Sequence, residues 1–278
     1  MTLESVDTGH HNISVVPNSV RQDPFQGRRS KSLAFNERIL QYMSTIECRP
    51  VIAQEDLEDL FRFRYECYRA DETIASDPRR RFEDHMDSSS NCMPFAMYRD
   101  GKLVSSLRLH HLTNEMRVGP SLISHGDVVG DMLDKDMTLL DPSRFTIAAD
   151  TNEERLFLLY LTVRMAALAA VHLDIDRLLS LIKPAHAGFY VKVFGSTQLG
   201  TVRTYPGISF ATCLLQTDYR EAREGVLERY PFFDSLERER NGLFGPAPKA
   251  RQAYDRQLPA TLARPLTVMP SARFALAA

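Results

Sequence analysis

Tryptophan is absent, cysteine is scarce, and neither sign of charge dominates. The four cysteines, Cys48, Cys67, Cys92 and Cys213, lie far apart, with no pair at metal-ligand spacing and no disulfide framework. Free thiols, a reducing compartment and hence a cytoplasmic location are the expectation. The 34 basic and 36 acidic residues give a formal net charge of −2. No basic stripe with interleaved aromatics appears, so nucleic-acid binding has no support. The beginning of the chain lacks the basic-then-apolar layout of a signal peptide. Long hydrophobic runs are also missing, apart from Leu156 to Leu173. That run is interrupted by Arg164 and falls short of the ~20 residues of a membrane span. It reads as a buried core helix, with no integral membrane span.

What is present centres on Asp141-Pro-Ser-Arg-Phe-Thr-Ile-Ala-Ala149 and its continuation. Arg144 to Ala149 reads as a short buried strand. Thr151 or Asn152 can cap a following helix, with Glu153 and Glu154 in its first turn. Arg155 to His172 is apolar nearly all round, the pattern of a helix inside a protein. Arg177 to Ile182 is the next strand. Strand, buried helix and strand make a unit at the centre of an α/β domain, and the charged pair Asp141 and Arg144 stands at its entrance.

Residues 1 to about 35 are polar and read as a flexible leader, followed by a short helix from Ala34 to Met43. Arg49 to Ala53 is a strand candidate. Leu57, Leu60, Phe61, Arg64, Tyr65 and Tyr68 place a helix over Glu55 to Arg69. Arg79-Arg80-Arg81 sits in a polar connection, as a solvated turn or a docking patch for an acidic partner. Asp100-Gly101 between two apolar runs predicts a hairpin of Met93 to Tyr98 with Leu103 to Leu109. Asn114 to Pro142 reads as irregular, with a short helix near Val128 to Leu133. Pro184 to Gly195 is a short helix ended by glycine. Gln198 to Tyr205 and Ile208 to Gln216 are strands, and Tyr219 to Tyr230 is a charged helix. From Phe232 the chain reads as an extension wrapping the domain or as a loose tail. His110 and His111 are neighbours on a strand and point to opposite faces, so no metal pair is expected. His186 and His172 read as cap and core residues.

This order of elements is that of the Gcn5-related N-acetyltransferase fold, an α+β architecture with a mixed, mostly antiparallel sheet flanked by helices. Arg64-x-x-x-Tyr68, Asp84-x-x-Asp87, the hairpin ending in Arg108-Leu109, and Asp141-x-Ser-Arg-Phe145 resemble four motifs of the LuxI-type acyl-homoserine-lactone synthases. Pro184-x-His-x-x-Phe-Tyr-x-x-x-Phe-Gly195, Thr204-Tyr-Pro-Gly207 and Ala211 to Asp218 resemble the related N-acyl amino acid synthases of the FeeM type. Together the matches span about residues 50 to 220. The aromatic that lactone synthases carry after the first-helix motif is missing here.

The resemblance implies an enzyme that moves a fatty acyl group from acyl carrier protein to the amino group of an amino acid. Its acyltransferase domain would cover 36–230, between the leader at 1–35 and an extension at 231–278. Asp141, Asp84 and Asp87 are candidates to take the ammonium proton. Arg64, Arg108 and Arg144 are candidates to grip the acceptor's carboxylate or orient those acids. Tyr190 could protonate the departing thiolate, and Tyr68, Phe82 and Phe145 belong to the substrate side. The charged set could equally be an ion-pair network that only shapes the cleft. No bound cofactor or metal is implied. The donor would be acyl-phosphopantetheine on carrier protein rather than CoA. The pyrophosphate loop of acetyl-CoA enzymes reads Ala148-Ala-Asp-Thr-Asn-Glu-Glu154 here, without glycine and with three acids. Arg79 to Arg81 and the arginines after Phe233 could face an acidic carrier. An acyl-homoserine-lactone synthase is the alternative enzyme. A non-catalytic acyl-binding or regulatory module is the alternative of another class. An open tunnel beside Arg144 to Ala148 would favour the enzyme, and a side-chain-filled one the module.

Overall fold

The computed structural model describes residues 24–151 and 154–246, with the side chains of 24–31 left aside. Seven strands form one sheet in the order β1-β2-β3-β4-β5-β7-β6. They are β1 Ile46–Pro50, β2 Cys92–Arg99, β3 Lys102–Leu112, β4 Leu139–Ile147, β5 Arg177–Ile182, β6 Thr197–Thr204 and β7 Ala211–Thr217. Every neighbouring pair is antiparallel except β4 and β5. That parallel pair is joined only at Leu139↔Arg177 and Leu140↔Leu178. Beyond those residues the two strands part company, and a wedge opens between them.

Alternation along the strands serves two layers. Leu140 and Leu178 enter the larger core, while Leu139 and Leu179 enter a second one on the opposite face. The larger core is built around α4, Arg155–Leu173, buried along most of its length. Phe35 of α1, Pro24–Met43, packs its ring on Phe157 and Tyr160 of α4. Beside α4 also lie α5 Ala187–Phe194, α6 Tyr219–Arg229 and α7 Glu237–Phe244. The second face carries α3, Pro120–Asp134, over Leu179 and Leu214. Leu60 of α2, Gln54–Ala70, packs with Val51 and Ala96.

The sequence pattern places most of these elements, and the differences have local causes. Helix α1 starts ten residues before Ala34, so Pro24–Phe35 is helical rather than a loose leader; residues 1–23 lie outside the described set. Proline suits the first turn, and Asn36, Ile39, Tyr42 and Met43 supply the inward stripe. The stretch read as irregular contains α3. Its Ser, His and Gly residues are weak helix formers, and the backbone leaves helical angles at His125, which hides the periodicity. Strand β4 begins at Leu139, so Asp141 and Pro142 are inside it rather than ahead of it. Thr151 does not cap α4: the cap position is Glu154, and Thr151 donates its hydroxyl to Ala148 O at 2.7 Å; the other expected cap, Asn152, lies outside the described residues.

The segment after Pro231 is packed as far as Phe244, and 247–278 lie outside the described residues. Phe232 and Phe233 are buried. Arg164 of α4 donates to Phe232 O at 2.5 Å, Asp234 O at 2.6 Å and Glu239 Oε1 at 2.6 Å. Both members of the Arg164–Glu239 pair are 1% exposed.

Candidate active site

Four segments bring the charged motifs together. Arg64 and Tyr68 are four apart on α2 and share a face. Asp84 and Asp87 close a reciprocal capping box on the 3₁₀ turn His85–Ser88. The Asp84 N–H donates to Asp87 Oδ2 at 3.0 Å, and the Met86 N–H to Asp84 Oδ1 at 2.9 Å. Arg108 comes from β3, and Ser143 and Arg144 from β4. The β3–β4 register shifts between Ser106 and Arg108, and Arg144 takes a left-handed φ of 52°. A bulge of this kind re-aims a side chain, and a non-glycine residue held there stores roughly 1–3 kcal/mol of strain.

The resulting network is continuous. Arg64 Nη1 donates to Asp87 Oδ1 at 2.7 Å. Arg108 Nη1 lies 2.7 Å from Asp84 Oδ1 and 2.9 Å from Asp87 Oδ2. Its Nε donates to Ser143 Oγ at 3.0 Å. Arg144 Nη2 donates to Asp84 Oδ2. The Arg144 guanidinium also stands 4.1 Å from the Phe82 ring centroid and 5.9 Å from that of Tyr68. Burial alone would raise the Asp84 and Asp87 pKa values. The arginines outweigh it and hold both carboxyls below their ordinary range. Such carboxylates are fixed anions and weak bases. Three guanidinium groups face two carboxylates, and Nε and Nη2 of Arg64 and Nε of Arg144 are buried without a hydrogen-bond partner.

The wedge between β4 and β5 holds a cavity of about 730 Å³, within the usual range of ligand pockets, roughly 300–1,000 Å³. Pro142 to Ile147 form one wall, and Leu178 with Ser180 to Lys183 the other. Leu156, Leu159, Val163 and Ala166 of α4 line it, as do Phe189, Tyr190 and Phe194 of α5. Cys67, Tyr68, Asp71, Thr73 and Phe210 cover the remaining side. That cover is joined by the Ser209 N–H donating to Thr73 O at 3.1 Å.

The predicted residues divide into three groups. Arg144, Phe145, Tyr68 and Tyr190 line the cavity. Arg64, Arg108, Asp84, Asp87 and Phe82 stand behind Arg144 and Tyr68 and hold them in place. Asp141 belongs to neither group, which corrects its pairing with Arg144 at the entrance. Its carboxylate is fully buried and accepts from Ser121 N–H at 2.8 Å and Ser121 Oγ at 2.7 Å. The cap residue of α3 is Gly119, which has no side chain to satisfy the free N–H groups of that helix end, and Asp141 supplies the oxygens across the sheet. A Cβ on Gly119 would lie 2.8 Å from Asp141 Oδ2, so only glycine lets the backbone approach so closely. Burial pushes the Asp141 carboxyl up to about 6, against the pull of Ser121 and Arg108. Tyr190 packs edge-on against Phe189, and burial raises its pKa well above the phenol range, so it stays protonated.

Other expectations change as well. Arg79 pairs with Asp77, Arg80 with Glu66, and Arg81 with Glu58 and Glu83, so the arginine triplet is neutralised by its own chain. Of the arginines after Phe233, Arg238 is exposed on α7, Arg240 is buried, and those from Arg251 onward lie outside the described residues. Two of the three acids in the loop before α4 are paired, Asp150 with Lys102 and Glu154 with Arg99. His110 is fully buried, with a ring nitrogen 3.1 Å from Met86 O. Sequence reasoning missed Lys183, Asp71 and His186 on the cavity wall, and Tyr205, whose phenol lies in the field of Arg144, Asp84, Arg108 and Asp141. The available signals were the motifs Pro184-x-His186-x-x-Phe-Tyr190 and Thr204-Tyr205-Pro-Gly207, which named His186 and Tyr205 without a role, and the four-residue spacing of His186 and Tyr190.

A model of the family described as N-acyl amino acid synthase FeeM matches residues 59–218. No curated protein matches the chain. Among solved structures, FeeM, an N-acyl amino acid synthase from uncultured soil microbes, superposes with a TM-score of 0.53 at 17% identity, covering 66% of this chain and 96% of that one. The CoA-dependent acyl-homoserine lactone synthase BjaI gives 0.48 at 13% identity, over 67% and 89%. The acyl-homoserine lactone synthase LasI gives 0.48 at 15%, over 65% and 94%. At these identities the likeness is one of fold.

Proposed function

The chain belongs to the FeeM family of N-acyl amino acid synthases and is an acyltransferase, and from that premise we propose that it moves a fatty acyl group from acyl carrier protein to the amino group of an amino acid. The observation that carries this reading is the open cavity in the β4–β5 wedge with Arg144 on its wall. A filled wedge would have suited a binding module without chemistry. The β4-facing edge of β5 beyond Leu178 has no strand partner among the described residues, so its backbone groups can bond the amides of an extended thioester arm. The apolar wall of α4 and α5 takes the acyl chain. Arg144 takes the acceptor's carboxylate, and the excess positive charge of its cluster favours an anion there. Asp84 and Asp87 hold the arginines rather than move protons, and Asp141 fixes the end of α3 against β4. Tyr190, kept protonated, donates a hydrogen bond to the departing sulfur. The carrier-bound donor is favoured over CoA by the lack of a glycine between Ala148 and Glu154, where a pyrophosphate would need close backbone approach.

The test is incubation of the purified chain with dodecanoyl-carrier protein, or with dodecanoyl-CoA, and a pool of amino acids, with products read by mass spectrometry. The expected product is an N-acyl amino acid formed from the carrier thioester at the higher kcat/KM. Arg144→Ala is expected to raise the acceptor KM by on the order of 10–100-fold, the loss of a charge-assisted pair of about 1.5–3 kcal/mol. Absence of transfer from either donor would remove the reading. A lactone product would replace it with signal synthesis.

A further inference from the structure

The three carboxylates nominated from the sequence leave the acceptor's ammonium proton without a taker. Asp84 and Asp87 are tied to guanidinium groups, and Asp141 is sealed under α3. On the cavity wall itself, Arg144, Arg155 and Lys183 are cations, and burial pushes the Cys67 thiol up to about 12. His186 remains. It stands in the 3₁₀ turn Pro184–His186, which runs straight into α5. It occupies the cap position of α5 yet makes no side-chain cap hydrogen bond, so its imidazole is not used to hold the helix. Its backbone is helical (φ −91°, ψ −8°), and Tyr190 follows four residues later. Residues at that spacing share a helix face, and both side chains line the cavity.

We infer that His186 is the proton acceptor of the reaction, taking a proton from the acceptor's ammonium group at the cavity mouth. The role rests on the acyl-transfer reading above. The charged groups acting on the ring are Lys183 on its own segment and Asp71 after α2, while Arg155 at the start of α4 lies elsewhere on the same cavity wall. Partial desolvation at the cavity wall and Lys183 lower the pKa of the otherwise exposed His186 below its ordinary value, with Asp71 opposing them. The imidazole is therefore neutral near pH 7 and free to accept. In the step, an unprotonated ring nitrogen removes one proton from the ammonium. The freed amine forms the N–C bond at the thioester carbonyl, and the C–S bond breaks. The second N–H proton leaves with the sulfur as free thiol, across the Tyr190 hydroxyl. Imidazolium then returns its proton to solvent.

The experiment measures kcat and KM with dodecanoyl-carrier protein and the amino-acid pool from pH 5 to about 10, where an α-amine is already unprotonated. His186→Gln is expected to lower kcat at pH 7 by on the order of 10²–10⁴-fold, with the loss shrinking as pH approaches 10. His186→Ala is expected to recover activity with added imidazole. An unchanged kcat would overturn the inference. So would a loss equal at both ends of the pH range and indifferent to imidazole, because a structural role would move neither readout. An inert wild-type chain would instead overturn the acyl-transfer reading, and this role with it.

Discussion

Asp141 shows how one side chain can carry a family motif and still serve the backbone. Its folded pKa of about 6 lies above the reference of 3.8. The folded state therefore binds the proton more tightly than the unfolded chain does. Its contribution to stability is greatest below pH 3.8 and is lost as pH rises through 6, a change of roughly 3 kcal/mol at 1.36 kcal/mol per unit. Asp84 and Asp87 act in the opposite sense, since their depressed pKa values give stability that is present above pH 3.8 and lost in stronger acid. Urea titrations at pH 4 and pH 7 separate the two. Wild type minus Asp141→Asn should change by up to that ~3 kcal/mol between the two pH values, with the variant gaining on wild type at pH 7. A difference that stays constant with pH would mean that the folded state does not raise the Asp141 pKa, the carboxyl being ionised across this window as in the unfolded chain. The sequence made Asp141 legible as part of a motif. Its orientation depends on where α3 ends in space, which no local pattern records.

At the scale of elements, α4 gives the cavity its depth. Leu156 is 50% exposed at the mouth, while Val163 and Ala166 are each 5% exposed at the far end. Ten residues at about 1.5 Å each make roughly 15 Å. With C–C bonds of about 1.5 Å in a zigzag, that length accommodates an acyl chain of about twelve carbons. Ala166→Leu should shift the preferred donor to shorter chains while kcat on a short donor is kept, as read from a series of carrier thioesters. Equal loss on every chain length would argue that Ala166 supports the fold instead. The helix itself was plain in the sequence, because an all-apolar run needs no phase to be recognised. The Asp100-Gly101 turn between β2 and β3 was equally plain. Helix α3 was legible only in its second half, as the short helix near Val128 to Leu133, since its kink at His125 breaks the repeat ahead of it. For the same reason the sequence named Arg144 but not its reach: a one-residue bulge in β4 decides which motif residues see the cavity.

The whole molecule is drawn together by contacts that the sequence hides. Arg164 interrupts an apolar helix, and its partner Glu239 follows in a stretch that reads as wrapping or loose. Glu239→Ala would leave a buried guanidinium unpaired and should cost about 3–5 kcal/mol. Glu239→Gln, which keeps acceptor oxygen, should cost less. Matched denaturation curves decide this, and a loss within ~0.5 kcal/mol of wild type would show the pair to be dispensable. The separation of these two residues also bears on how the protein is made. Arg164 leaves the ribosome 75 residues ahead of Glu239, which at roughly 5–20 residues per second is a delay of about 4–15 s. Throughout that interval the buried central helix carries an unmatched charge. The nascent protein therefore cannot seat its central helix until the segment carrying Glu239 has emerged, and final closure of the core waits for it.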